Sequence, residues 1–303
     1  MKKKLINYIY SLIIFLLTIY FFTNSNTTIN EFKTITKNIF TLILPSLFPF
    51  MIFINFILYS NCIDYLSILF SKIFKFINIS GYGLCCIISS IIGGYPFGAI
   101  LLSSFVKEKK ISINETNKLL YCIFFPSISF IFVSLYNEDK NIIYIIVSIL
   151  IASLLPLIFN NKNDKSNYNV KLNNDFSSTY FKVYNSSIKS IFSIYFSILF
   201  FSMISKMITS NINNDYFKYL LSGIFEFSIP SILIMKENNL TFIHYIVLTF
   251  ILSFSSLSII FQSMFYLKEI NISIKKLLLT RITISILSII IFIIIYFLVK
   301  ILT

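Results

Sequence analysis

Four groups of residues in this 303-residue chain have types and spacings that could do chemistry. The first is GGYPFG, in which Gly93, Gly94, Tyr95, Pro96 and Gly98 interrupt an otherwise apolar stretch. The second is SFSSLSIIFQ, with Ser253, Ser255, Ser256, Ser258 and Gln262. The third is Glu226 in SGIFEFSIPS, the only acidic group well inside an apolar span, with Gly223 a turn before it and Pro230 a turn after. The fourth is Pro126 with Ser127 in FFPSISF. Glycine and proline weaken helices. In lipid a broken helix leaves backbone polar groups unpaired, which is tolerated only inside protein or beside a water-filled cavity. Transporters hold substrates at such breaks.

Each group supports a specific chemistry and a plainer alternative. At GGYPFG the second half-helix would begin near residues 97–100, and its N-terminal partial positive charge suits a carboxylate. Gly94 and Gly98 also have the spacing of a tight helix crossing, but Pro96 between them favours a break. Serines inside a helix commonly bond the carbonyl four residues back, or they face a passenger. Gln262 offers a donor and an acceptor. A carboxylate at membrane depth belongs by default to an ion path, a proton relay or a substrate contact; the alternative is pairing with a lysine or with freed backbone N–H groups. Pro126 marks either a second break or a simple kink. Arg281, the only arginine, opens the last helix and is expected to mark the cytoplasmic face rather than clamp a substrate. Asp64, at a span end, reads as loop.

Composition sets the environment for these residues. The chain is 57% hydrophobic and 12% charged, about half the charge of a soluble domain, and apolar runs recur end to end. The formal charge of +13 is scattered through short loops, the pattern of positive-inside membrane proteins and not of a nucleic-acid-binding patch. One histidine and four cysteines without CxxC spacing leave a metal site or a disulfide framework without its usual parts. No paired carboxylates, nucleophile–base set or phosphate-cradling loop appears, so neither an enzyme nor a cofactor is expected.

The elements that must position these groups follow from the apolar runs. The expectation is an all-α polytopic membrane bundle of about eight to ten segments, with two structural repeats containing broken or re-entrant helices. Residues 1–30 read as an uncleaved N-terminal transmembrane anchor, 31–159 as a first repeat, 160–182 as a polar linker and 183–303 as a second repeat. Residues 63–79 read as a short interfacial helix. The repeats rest on a slide of 160 residues, which lays IIGGYPFGAILLSSF over ILSFSSLSIIFQSMF; one residue later KEKKISI lies over KEINISI. Inverted repeats are favoured over parallel ones.

The ordered motifs LPSLFPFMIF, GGYPFGAILLSSF, FFPSISFIF, SGIFEFS and SFSSLSIIFQSMF resemble the YlbJ (SpoVV-like) family of sporulation integral membrane proteins, within the nucleoside-recognition Gate domain group. The resemblance covers about residues 30–300. It implies a transporter moving a small organic anion, dipicolinate, across the outer forespore membrane; the alternatives are another Gate-group solute such as a nucleoside, or a non-transporting scaffold in a sporulation complex. The partners it implies are the lipid bilayer and a small organic anion, with a coupling ion and self-association left open. The chain departs from the family pattern at Phe124 and Phe125, at Ile100, and in the serines of SFSSLS.

Overall fold

The computed structural model describes residues 2–60, 62–73, 79–136, 139–158 and 176–302. Among them every regular element is helical. The chain runs through α1 (Lys2–Thr23) and α2 (Ser25–Asn38), which continues through a π-type turn into α3 (Leu44–Tyr59), a 35-residue rod. Then come α4 (Cys62–Ile73), α5 (Gly81–Gly93), α6 (Phe97–Lys107), α7 (Ile113–Cys122) and α8 (Ile128–Phe130), which runs on as a π-type turn to Leu135. After α9 (Asn141–Ile158), α10 (Phe176–Thr209) is a second long rod of 34 residues. The chain closes with α11 (Asp215–Phe225), α12 (Ser228–Met235), α13 (Phe242–Phe254), α14 (Ser256–Leu267) and α15 (Ile274–Leu302).

Among the described residues four helices are long and apolar enough to cross a membrane: Ser25–Tyr59, Ser177–Thr209, Phe242–Ile270 and Ile274–Leu302. Two of them, α15 and α10, have surfaces inverted relative to a water-soluble protein. On α15 an exposed stripe at i, i+4 spacing consists of Ile282, Ile286, Ile290 and Ile294, while Arg281, Ser285 and Ser288 face the interior. On α10 Phe192 and Phe196 are exposed, and Ser187, Ser190 and Ser202 are buried. Apolar outside and polar inside is the arrangement expected where the surrounding medium is hydrocarbon.

Two relations between distant parts of the chain organise the interior. The long rods α2–α3 and α10 pack along each other: Glu31 pairs with Lys206 at 3.5 Å, Thr36 with Tyr195 at 3.3 Å, Asn55 with Ser187 at 2.9 Å, and Thr179 donates to the Tyr59 carbonyl at 3.5 Å. As numbers rise on one rod they fall on the other, so the rods run antiparallel. The second relation joins α5–α7 to α13–α15 through bonds between residues roughly 160 apart. Ser103 donates to the Tyr266 carbonyl at 3.0 Å, Lys107 pairs with Glu269, and Lys276 bonds Asn117. Helix limits repeat at nearly the same offset, α5 and α6 against α13 and α14.

Several sequence expectations change here. Helix α10 begins at Phe176, inside the span read as polar linker; residues 160–175 of that linker lie outside the described residues. The rod beginning at Ser25 crosses the expected boundary between anchor and first repeat at residue 31 without interruption. The short helix expected over 63–79 ends at Ile73, and residues 74–78 lie outside the described residues. Asp64 is not loop: it is buried in the first turn of α4, where it accepts from Lys110 at 2.8 Å and from the Tyr82 hydroxyl at 2.8 Å. A buried carboxylate needs such partners, and the apolar context hid them from the sequence reading.

Candidate functional site

Four helix interruptions meet at one buried place. The first is Gly94–Pro96, between α5 and α6, with a cis peptide bond joining Tyr95 to Pro96. The second is residues 123–127, between α7 and α8. The third is Glu226–Phe227, between α11 and α12, and the fourth is Ser255, between α13 and α14. All thirteen residues singled out in GGYPFG, FFPSIS, SGIFEFS and SFSSLSIIFQ are buried.

Local chemistry explains each interruption. Gly94 has φ +75° and ψ −164°, a region nearly closed to residues with a Cβ. Pro96 lacks the N–H that would continue α5. In the second break Pro126 ends the run and the Ser127 hydroxyl caps α8, accepting from the Phe130 amide at 3.1 Å. In the third, the Glu226 carboxylate turns back onto α12, accepting from the Ser228 amide at 3.0 Å, the Ser228 hydroxyl at 2.7 Å and the Ile229 amide at 3.0 Å. In the fourth, Ser255 and Ser256 both have positive φ, and Ser253 returns its hydroxyl to the Thr249 carbonyl at 2.6 Å.

Tyr95 ties the breaks together. Its hydroxyl donates to the Leu252 carbonyl at 2.6 Å, in the last turn of α13 just before the fourth break. Its ring meets that of Phe227 edge-on at 5.1 Å, and Phe227 meets Phe130 at 5.3 Å. Gly94 lies against Ser127, so close that a methyl group placed on it would come within 2.8 Å of the Ser127 amide nitrogen. A methyl on Gly98 would collide with the Ile123 carbonyl of the second break. The glycines of GGYPFG therefore serve a close backbone approach between two interruptions. The N-terminus of α6, expected to be free for an anion, turns two of its amides inward: Phe97 donates to the Gly94 carbonyl and Ala99 to the Pro96 carbonyl, each at 3.0 Å.

Two cavities flank this meeting point. A central one of about 20 Å³ is lined by Tyr95, Ser127, Phe130, Phe227, Ser228 and Gln262, among others. It has room for about one water molecule and no organic solute. The Oε1 atom of Gln262 has no hydrogen-bond partner; its Nε2 reaches the Ser258 hydroxyl at 3.3 Å. The second, a cleft of about 370 Å³, lies between α2, α10, α11 and α12, with Asn30, Glu31, Lys206 and Lys218 towards its outer part and Glu226 among its lining residues. That volume is within the usual range for small-molecule pockets. Glu226 lines the cleft, Ser228 lines the central cavity, and the two are hydrogen-bonded across Phe227. This segment is the partition between the two spaces.

Arg281, which the sequence reads as marking the cytoplasmic face at the start of the last helix, is buried, with 0% of its surface exposed. It shares the inward side of α15 with Leu277, Ile284, Ser285 and Ser288, at helical spacing. Its guanidinium donates to the carbonyls of Leu120 at 2.6 Å and Tyr121 at 3.1 Å, reaches that of Phe124 at 3.5 Å, and lies 4.6 Å from the centre of the Phe124 ring. Burying a charge costs several kcal/mol. Two charge-assisted bonds at about 1.5–3 kcal/mol each and a desolvated cation–π contact of about 2 kcal/mol offset most of that. The C-terminal dipole of α7 contributes in the same direction. Arg281 thus fixes the end of α7 and the start of the second break.

The structure brings Tyr95, Ser127 and Gln262 to one cavity and sets Glu226 on its far side, facing the cleft. Sequence reading missed Phe130, Phe227 and Ser228, which carry no compositional signal in so aromatic and serine-rich a chain. The inward role of Arg281 had one signal, its being the sole arginine. No family model, curated protein or solved structure matches this chain.

Proposed function

We propose that this protein is a multi-pass membrane transporter of a small organic solute, whose passage runs through the junction of the four helix breaks. The observation that carries the reading is the meeting of four interruptions, three of which line one buried cavity, with a small-molecule-sized cleft on the other side of the Glu226–Ser228 partition. Interrupted helices meeting at the centre of a bundle are the usual construction of a secondary-transporter site, because unwound backbone there can bind a solute without facing lipid. The roughly 160-residue offset between breaks, and the antiparallel course of the two long rods, support two related halves of opposite orientation.

The cargo follows from the family resemblance: dipicolinate, a small aromatic dicarboxylate, moved across the outer forespore membrane during sporulation. Aromatic rings and hydroxyls at the central cavity suit its ring and oxygens. A second reading is favoured by one observation: among the described residues no basic side chain lines that cavity. A neutral aromatic solute such as a nucleoside would need none. Either cargo requires the cavity to widen well beyond 20 Å³, so the present conformation is a closed one.

Uptake into liposomes bearing the purified chain tests both. Saturable accumulation of dipicolinate, read by trapped terbium, supports the first reading, and accumulation of uridine instead supports the second. Flux of both solutes equal to that of protein-free liposomes rejects transport and leaves a scaffold. Spores lacking the protein should be depleted of dipicolinate; normal content rejects that cargo.

A further inference from the structure

We propose that Glu226 is a proton-binding site reached from the cleft, and that its protonation unlatches the partition between cleft and central cavity. The inference rests on the transport reading and adds to it the coupling ion.

Three features carry it. Glu226 is 1% exposed, yet it lines a cleft whose outer residues include Asn30, exposed, and Lys206, half-exposed. The cleft wall is mostly apolar but carries polar groups between its mouth and Glu226, among them Thr34, Asn38, Ser205 and Ser222, and the Ser202 hydroxyl there is buried with no hydrogen-bond partner, a group that water would satisfy. Next, the Glu226 carboxylate takes its hydrogen bonds from the residues that follow it, with Ser228 and Ile229 on the α12 side of Phe227 supplying the three at 2.7–3.0 Å. The carboxylate is a latch that holds the first turn of α12, and with it the Phe227 ring, against Tyr95 and Phe130. Finally, no ion pair reaches Glu226 among the described residues. Glu31, Lys206, Lys218 and Tyr219 are the ionisable groups that share the cleft with it. Of these, Lys206 pairs with Glu31 and Tyr219 bonds Glu237. From α13, His244 bonds Thr241 and Tyr245 bonds Asp139; α14 brings only Tyr266. Among the described residues the anion is stabilised by the donors at the start of α12 and by that helix's N-terminal dipole.

Those donors favour the charged carboxylate, because hydrogen bonds to an ionised acceptor are roughly twice as strong as neutral ones. A proton arriving from the cleft removes that advantage and one acceptor site, so the first turn of α12 is released. It also removes a negative charge from the path of an anionic passenger. The proton leaves Glu226 to water on the central-cavity side as α12 latches again, so it crosses the partition in the direction of the solute. Proton and solute therefore move together, the proton as the driving ion.

The test uses the full-length protein in liposomes. Dicyclohexylcarbodiimide reacts with protonated carboxyl groups, and peptide mapping reads modification at Glu226. Label at Glu226 should rise as the external pH falls, by roughly tenfold per pH unit while the group is mostly ionised. No label at any pH, or label indifferent to pH, overturns the proposal. In parallel, an inward proton gradient should accelerate uptake of dipicolinate or uridine. Glu226→Gln, which keeps one acceptor oxygen, puts an NH2 group in place of the other and cannot titrate, should abolish that acceleration. Ser228→Ala removes one donor to the charged form and should move the pH profile of uptake upward; an unmoved profile counts against the latch. Saturable uptake indifferent to the gradient sinks the coupling and leaves transport standing. If neither solute moves, the transport reading falls, and the pH dependence of the label still decides whether Glu226 is the proton site.

Discussion

Replacing Gly94 by alanine tests whether the first and second breaks are held together by backbone contact. Two costs add. The conformation, φ +75° with ψ −164°, is one that residues with a Cβ rarely adopt, at about 1–3 kcal/mol. The new methyl would also lie 2.7 Å from the Ser127 Cβ and 2.8 Å from its backbone nitrogen, neither of which is the free end of a flexible chain. Forcing an extra carbon into a packed interior costs about another 1–3 kcal/mol. The sum, roughly 2–6 kcal/mol, should lower the thermal midpoint of the detergent-solubilised protein by on the order of 5–15 °C. Gly93→Ala is the internal comparison. Its methyl would meet the tip of Ile54 and the ring of Phe97, side-chain atoms that can move, and its φ is not positive. Thermal unfolding followed by thiol-reactive dye should therefore separate neighbouring glycines, with Gly94→Ala the more damaging. Equal midpoints for the two variants, or a Gly94→Ala protein as stable as the parent, would refute the argument that the breaks touch.

Other consequences follow from the same contacts. Tyr95→Phe removes the buried donor to the Leu252 carbonyl, and a loss of about 1–3 kcal/mol should be measurable by the same thermal assay. Arg281→Met fills a similar volume but leaves the carbonyls of Leu120 and Tyr121 without their donor; we expect a net destabilisation of about 2–4 kcal/mol and faster protease cutting after α7. Around Lys110, burial pulls the ammonium down, but hydrogen bonds to Asp64 and Glu108 more than offset it, so its titration lies above the usual lysine range. A base held above its unfolded value contributes stability that is fully present below about pH 10 and is lost as pH rises through the folded value. The stability difference between the parent and Asp64→Asn should accordingly be constant to about that pH and shrink beyond it in alkaline melts.

What the sequence by itself determined was the material and its joints. Apolar runs dictate helices, and Gly94, Pro96, Pro126 and the SFSSLS serines mark where those helices stop, because the steric rules for glycine and proline act within a few residues of chain. The 160-residue slide put Tyr95 opposite Ser255, and the structure interrupts helices at both positions. Which way a helix faces was another matter. Where nearly every position is apolar, hydrophobic periodicity no longer distinguishes an inner from an outer side, so the burial of Arg281 is not legible and Asp64 reads as loop. Glu226 could be recognised as costly but not as the latch of α12, since its partners became donors only once α11 ended in front of it. The gathering of four breaks around Tyr95, and the cleft behind Glu226, depend on helices distant in the chain packing side by side. Such contacts are fixed by mutual shape and by the need to satisfy buried polar atoms, and those are properties of the assembled tertiary structure.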